Sequence, residues 1–366
     1  MATLVKTPSG TWKAVIRKAG FPTSAKTFRT KRDAEDWSRR TEDEMVRGVF
    51  IQRGTAERLT VTTALNRYLA EVSPTKRELS AKSDLNRSKS LIKAMGKYSL
   101  AALTPEIIAK YRDDRLAGLD RKDANGKPKP RSANTVRLEL ALLGHMFNVA
   151  IKEWGIGLAI NPVQSIRRPA PGAGRERRLS DNEEKSLLEA VDSHSNPMLG
   201  WIVRIALQTG MRSSEITTLR LGQVDLERRV VRLVNTKNTQ PRTVPLTSSA
   251  KEVFHEAIFN PLRPIETDLI FFGEPGKDGQ RRAYNFNKVW SKIKNKIGLK
   301  DLCFHDLRHE AVSRFVEGGL SDQKVAAISG HKSMQMLRRY THLRACTIPT
   351  KIIAFQISKH LINEVP

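Results

Sequence analysis

The sequence predicts a mainly α-helical protein with small β elements. An N-terminal α+β module comes first, then a helical domain, then a mixed α/β domain. Three observations lead there. Apolar residues recur at helical spacing through two long stretches, whereas strand-like runs are short and lie near the N-terminus and around residues 230–272. Between the stretches, GIGLAINPVQSIRRPAPGAGRERR (155–178) mixes Gly, Pro and Arg with no surviving periodicity, as a linker does. Finally, 366 residues suffice for two or three domains that each bury a core.

The first segment, 1–55, reads as two strands and a helix. TWKAVIRK (11–18) and AKTFRT (25–30) alternate partially and are joined across the turn signal Gly20–Phe21–Pro22. Thr30 is the expected N-cap of the helix that follows, with Asp33 in its first turn and Gly48 past its end. A short basic sheet against one helix buries little alone, so the segment is expected to be an appended module.

Residues 58–168 read as an all-helical domain. Thr60 caps a helix with Leu65, Tyr68 and Leu69 on one face, and a second runs from Ser83 to Met95 and ends at Gly96. Thr104 at N-cap and Pro105 at N1 open a third, with Ile107, Ile108 and Tyr111 facing inward. After the polar, basic loop DRKDANGKPKPR, the residues Val136, Leu140, Leu143, Phe147 and Ile151 mark a long helix, and core packing explains that stripe.

Residues 175–348 form the last domain, followed by a tail at 349–366. Ser180 and Glu183 have capping-box spacing, and PMLGWIVRIALQTG (197–210) is apolar enough to be a buried helix ending at Gly210. VVRLV and RTVPL are the expected strands of a hairpin with NTKNTQP at its turn, and LIFF (269–272) is a third strand. From about 285 the chain is expected to be helical, with breaks at Gly298, Gly318–Gly319 and Gly330.

Charge narrows the partner. A formal +26 and a pI near 10.3 attract polyanions and repel themselves unless neutralised. No run of about 18 apolar residues and no basic amphipathic helix point to a membrane, and the N-terminus lacks the pattern of a secretory signal. Double-stranded DNA is the expected partner, and the linker arginines are expected to track its backbone. Two cysteines, Cys303 and Cys346, make no disulfide framework, which suggests a reducing cytoplasm.

The polar residues of the last domain suit phosphodiester chemistry. Arg212 follows the buried helix in QTGMRSSE, Lys237 sits at the hairpin tip, and His305 and Arg308 are three apart in FHDLRHEA, hence on one helical face. His331 follows Gly330 in SGHKS, and Tyr340 stands in RRYTHL. Two guanidinium forks suit nonbridging phosphate oxygens. Histidines donate or accept protons near neutral pH, a lysine can protonate a leaving alkoxide, and a phenol can attack phosphorus and stay attached. Such groups stabilise the transition state by charge and positioning, with no metal and no cofactor. Singly, each has an ordinary explanation: a surface ion pair, a solvated turn lysine, a half-buried aromatic, a capping histidine. Their joint spacing favours chemistry.

In order and local context, Arg212, Lys237, His305, Arg308, His331 and Tyr340 resemble the motif set of the tyrosine recombinases, the phage integrase family. The elements TG-x-R-x-x-E, H-x-L-R-H, GH and Y-x-H stand intact as TGMRSSE, HDLRH, GHKS and YTH. The resemblance covers roughly 58–345. It implies that Tyr340 is the nucleophile, forming a 3′-phosphotyrosine and freeing a 5′-hydroxyl. It further implies that Arg212 and Arg308 clamp the scissile phosphate, His305 assists proton transfer, and His331 donates to a nonbridging oxygen. Lys237 would be the general acid, and Glu215 would orient Arg212.

The family also implies a helical core-binding (SAM-like) domain, a catalytic domain of the tyrosine recombinase type, specific recombination sites, and a synaptic homotetramer passing through a Holliday junction. Accessory DNA-bending proteins and a location on bacterial nucleoid or plasmid DNA follow from the same likeness. NTVRLELALL, FHDLRHEA, AAISGH and RYTHLRA most resemble shufflon-type DNA invertases, whereas the N-terminal module is similar to the arm-type DNA-binding domains of integrases, so both outcomes stay open. The segment PTKIIAFQISKHLINEVP has an amphipathic pattern suited to docking in cis or on a neighbouring subunit.

Two other classes compete. His305 and His309, four apart, mimic a zinc helix and suggest a metal-dependent phosphodiesterase, yet no third ligand is evident and Arg308 and Tyr340 would go unexplained. His309 is expected to be a structural hydrogen-bonding residue, and His342 a helix-face neighbour of Tyr340. A non-catalytic DNA-binding protein would not need Tyr340 and both arginines intact.

Overall fold

The computed structural model describes residues 2–48, 50, 54–172, 174–234 and 241–340. The chain divides into two compact units, Met1–Ala173 and Gly174–Pro366. Lys237, His342, Cys346 and the tail at 349–366 lie outside the described residues.

The first unit opens with three antiparallel strands rather than two: β1 (Ala2–Lys6), β2 (Trp12–Ile16) and β3 (Ser24–Phe28), in the order β1-β2-β3. Ala2–Lys6 was not expected, because a five-residue run with one exposed Val and one terminal Lys carries little alternation. Helix α1 (Lys31–Val46) starts at Thr30, whose side chain accepts from the Asp33 N–H. It buries Ala34, Ser38, Thr41 and Met45, a stripe at helical spacing, and packs across the sheet.

Helices α2 (Gly54–Arg58), α3 (Val61–Glu71), α4 (Glu78–Met95), α5 (Pro105–Ala117) and α6 (Ala133–Lys152) follow. Their core gathers Leu65, Tyr68, Leu91, Ile108, Leu140, Leu143 and Phe147, all at most 1% exposed. Helix α4 begins five residues before the expected Ser83, because Arg77 takes the extended N-cap conformation.

The second unit is built round α8 (Met198–Thr209), which follows α7 (Asp181–Asp192). Leu199, Ile202, Val203, Ile205 and Ala206 are buried on all sides of it, as in a helix at the centre of a core. Then come α9 (Ser213–Thr217) and the sheet β4 (Val224–Asp225), β5 (Val230–Leu233) and β6 (Arg242–Pro245), antiparallel in that order. Helix α10 (Ser248–Ile258) packs on α8 and precedes the hairpin β7 (Phe272–Pro275) and β8 (Arg281–Ala283). The expected strand LIFF therefore shifts: Leu269 makes an isolated bridge to Arg220, and regular pairing starts only at Phe272. Helices α11 (Asn287–Lys296), α12 (Phe304–Glu317) and α13 (Asp322–Ser329) complete the unit, with α12 against α8 and α13 against β6. Among the described residues no helix is long and apolar enough to cross a membrane.

Candidate active site

Helix ends build the site. Helix α8 stops at Gly210, whose φ of +60° is the left-handed C-cap that glycine adopts without steric cost. The Gly210 carbonyl accepts from Nη1 of Arg308, which projects inward from α12. Helix α13 likewise stops at Gly330, φ +71°, and there the Ser329 carbonyl accepts from Arg308 Nη2 at 2.7 Å and the Gly330 carbonyl from Arg212 Nη2 at 3.1 Å. Two arginines from distant segments thus converge on two left-handed helix ends.

Arg212 is the N-cap of α9, and Glu215 one turn later accepts from its backbone N–H at 2.8 Å and from its Nη1 at 2.8 Å. Arg242, at the start of β6, completes the cluster. Its Nη1 and Nη2 donate to the two Glu215 oxygens at 2.9 and 2.7 Å, and its Nε to the Ile328 carbonyl at 3.0 Å. Burial works to raise the Glu215 pKa, yet the Arg242 fork and the Arg212 N–H hold it at about 2. Arg308 is only 3% exposed. Burial pulls its pKa down to about 10, the Arg212 charge adds to that, and Glu215 opposes it. It remains charged at neutral pH.

Among the described residues, three guanidinium charges therefore face a single carboxylate in a mostly buried pocket. Arg212 and Arg308 otherwise spend their donors on neutral backbone carbonyls. A charged acceptor forms stronger hydrogen bonds with guanidinium than a carbonyl does, so the pocket favours an anion with several oxygens.

The histidines and the tyrosine complete the surroundings. His331 holds its Nδ1 2.6 Å from the Ser329 hydroxyl and its Nε2 3.5 Å from Arg308 Nη2. His305 is exposed in the first turn of α12, its ring edge-on to that of His309 at 4.8 Å. Tyr340 ends a 3₁₀ turn (Arg338–Tyr340) and is 5% exposed, packed with Val312, Val316, Val325 and Leu337. Its hydroxyl lies 2.5 Å from Nδ1 of His309. The structure thus gathers Arg212, Glu215, Arg308 and His331 into one bonded cluster, and Tyr340 lies near enough that its phenolate form would act on Arg308. His305 joins through His309. Among the described residues no group of three His, Cys, Asp or Glu is placed to hold a metal ion.

Three of the linker arginines are engaged in ion pairs within the second unit. Arg175 forks onto Asp306 (3.0 and 2.8 Å), Arg178 forks onto Glu310 (3.1 and 2.9 Å) and also bonds Glu317, and Arg177 bonds Glu183 and Asp301. Asp306 and Glu310 are buried, which works to raise their pKa values, but these arginines hold both carboxylates below their ordinary range. The segment 175–178 is thereby tied along α12, the helix that carries Arg308. Sequence reading also missed Arg242. Its signal was there: Arg242 shares a strand face with buried Val244, and a charged residue on an inward face needs a buried partner.

A model of the phage integrase family matches residues 177–346. The chain is 39% identical over 303 residues to a shufflon-specific DNA recombinase of Escherichia coli, a match covering 81% of this chain and 72% of that one. Among solved structures, the Tn1549 transposon integrase in complex with a circular intermediate DNA superposes with a TM-score of 0.62 at 16% identity, over 77% of this chain and 95% of the other. A lambda integrase tetramer bound to a Holliday junction gives a TM-score of 0.58 at 18% identity, over 90% and 95%.

Proposed function

The chain belongs to the phage integrase family of tyrosine recombinases, and on that premise we propose that it is a site-specific recombinase that cuts and rejoins double-stranded DNA through a covalent bond between Tyr340 and a 3′-phosphate. The observation that carries this reading is the pocket in which, among the described residues, Arg212, Arg242 and Arg308 outnumber the carboxylate Glu215, with the buried phenol of Tyr340 near Arg308.

In this mechanism the forks of Arg212 and Arg308 leave their carbonyl partners for the nonbridging oxygens of the scissile phosphate. His331, already oriented by Ser329, donates to one of the same oxygens. The Tyr340 oxygen bonds to phosphorus, the P–O5′ bond breaks, and Lys237 protonates the leaving 5′-oxygen. His305 assists proton transfer, and Glu215 holds Arg212 in place. The phosphotyrosine conserves the energy of the broken bond, so the reaction needs neither metal nor nucleotide. We assign residues 1–55 to arm-type DNA binding, 58–168 to core binding and 175–348 to catalysis, with 349–366 as a tail. Four copies would exchange strands through a Holliday junction on nucleoid or plasmid DNA in the bacterial cytoplasm, with DNA-bending accessory proteins assisting.

Incubation with supercoiled DNA of the protein's own host in EDTA, resolved on a denaturing gel, tests the reading. Wild-type protein is expected to form a protein–DNA adduct that Tyr340→Phe does not form. Cleavage only after addition of a divalent metal would refute it. Sequencing the trapped DNA yields the site, and two copies in inverted or direct orientation on one plasmid separate inversion from excision.

A further inference from the structure

Attack by a phenol requires that its proton go somewhere. With an ordinary pKa near 10, only about one phenol in a thousand is ionised at neutral pH. Neither arginine can accept that proton. His331 lies on the arginine side of the pocket, between the Ser329 hydroxyl and Arg308. His305 contacts the ring of His309, at a centroid distance of 4.8 Å.

His309 is different. It follows Arg308 directly, one helical turn after His305, so α12 sends Arg308 toward the helix ends at Gly210 and Ser329 and His309 toward the 338–340 turn. There its Nδ1 meets the Tyr340 hydroxyl at 2.5 Å, with ring centroids 6.2 Å apart and planes tilted by 38°. Among the described residues, the charged and titratable groups round it include Tyr340 from the turn and His305, Asp306 and Arg308 on its own helix. Asp306 is occupied by Arg175. The imidazole is half-buried, and Tyr340 is anchored by the valines of α12 and α13. An imidazole nitrogen in direct reach of the nucleophile's hydroxyl meets the geometric and chemical requirements of a general base.

We propose that His309 is a catalytic residue, the proton acceptor for Tyr340, an inference that rests on the recombinase reading above. As the Tyr340 oxygen bonds to phosphorus, its O–H bond breaks and the proton moves to Nδ1 of neutral His309, which carries its own proton on Nε2. The P–O5′ bond breaks, and the 5′-oxygen takes a different proton, from Lys237. On rejoining, the 5′-hydroxyl attacks the phosphotyrosine, its proton returns to Lys237, and His309 gives its proton back to Tyr340. Acid and base are thus separate residues.

The test uses the full chain and the duplex recovered from wild-type adducts, in single-turnover cleavage. His309→Ala is expected to bind that duplex as wild type does and to cleave it about 10²–10⁴-fold more slowly. His309→Asn, which can accept the hydrogen bond without taking up a proton near neutrality, should hold Tyr340 in place yet lose the acidic limb of the pH–rate profile. A duplex with sulfur in place of the bridging 5′-oxygen, whose leaving group needs no proton, should restore Lys237→Ala and leave His309→Ala slow. Cleavage by His309→Ala within about threefold of wild type, an unchanged acidic limb in His309→Asn, or rescue of His309→Ala by the sulfur duplex would each overturn the assignment while leaving the recombinase reading standing. Failure of the wild-type protein to form any adduct would overturn both.

Discussion

Glu215→Gln should expose how far the arginine pocket depends on one carboxylate. In the native protein both oxygens of Glu215 receive donors: the backbone N–H and Nη1 of Arg212, and Nη1 and Nη2 of Arg242. The amide keeps the size of the side chain but turns an NH₂ toward a guanidinium, at a position only 5% exposed. The magnitude follows from the titration of Glu215, held at about 2 against an ordinary 4.5. That separation, at about 1.36 kcal/mol per unit, corresponds to on the order of 3 kcal/mol of stability at pH 7. Because the folded value lies below the unfolded one, the contribution is complete above about pH 4.5 and disappears as the pH falls toward 2. Urea unfolding of the full chain, read by hydrogen exchange in peptides from α12 and α13, should therefore find the variant about 3 kcal/mol less stable at pH 7. The gap to wild type should close through that acid window. A deficit below about 1 kcal/mol at pH 7, or one independent of pH, would refute the assignment of this carboxylate as the pocket's electrostatic anchor.

Two further substitutions probe what surrounds the anchor. Gly330→Ala places a Cβ 2.8 Å from Nη1 of Arg242 at a φ of +71°, so it should cost about 1–2 kcal/mol from the left-handed backbone alone. It should also weaken adduct formation by displacing Arg242 and the carbonyl that holds Arg212. Thermal unfolding run beside the adduct gel checks this, and an unchanged Tm would count against it. Arg178→Ala removes the fork on buried Glu310 and should destabilise the second unit by about 1–3 kcal/mol. The same variant should leave the slope of log affinity against log salt for DNA as it is, whereas loss of a phosphate-contacting arginine would reduce that slope by about 1.

Much of this protein is written locally in its chain. Thr30, Thr60, Thr104 and Ser180 announce helix starts because a hydroxyl satisfies backbone N–H groups within the same turn. Gly210 and Gly330 announce helix ends because only glycine takes the left-handed cap cheaply. The candidate site residues were likewise picked out as residue types in a set order, and of these Arg212, Glu215, Arg308 and His331 stand in one bonded cluster. The first strand and the start of α4 were not, since their signals are too short or too polar to show a period.

Tertiary structure alone decided who meets whom. That Arg242 would embrace Glu215, 27 positions away, depends on β6 being set against α13, and no pattern of period two or 3.6 encodes that distance. Arg175, Arg177 and Arg178 read as loose basic residues until α12 supplies the buried Asp306 and Glu310 and their neighbours. His309 and Tyr340, 31 positions apart, become partners because α12 directs adjacent side chains roughly 100° apart round its axis, one toward the arginine pocket and the next toward the 338–340 turn. Periodicity carries the direction of a side chain within its own element; which group waits at the other end is settled only when separate elements pack.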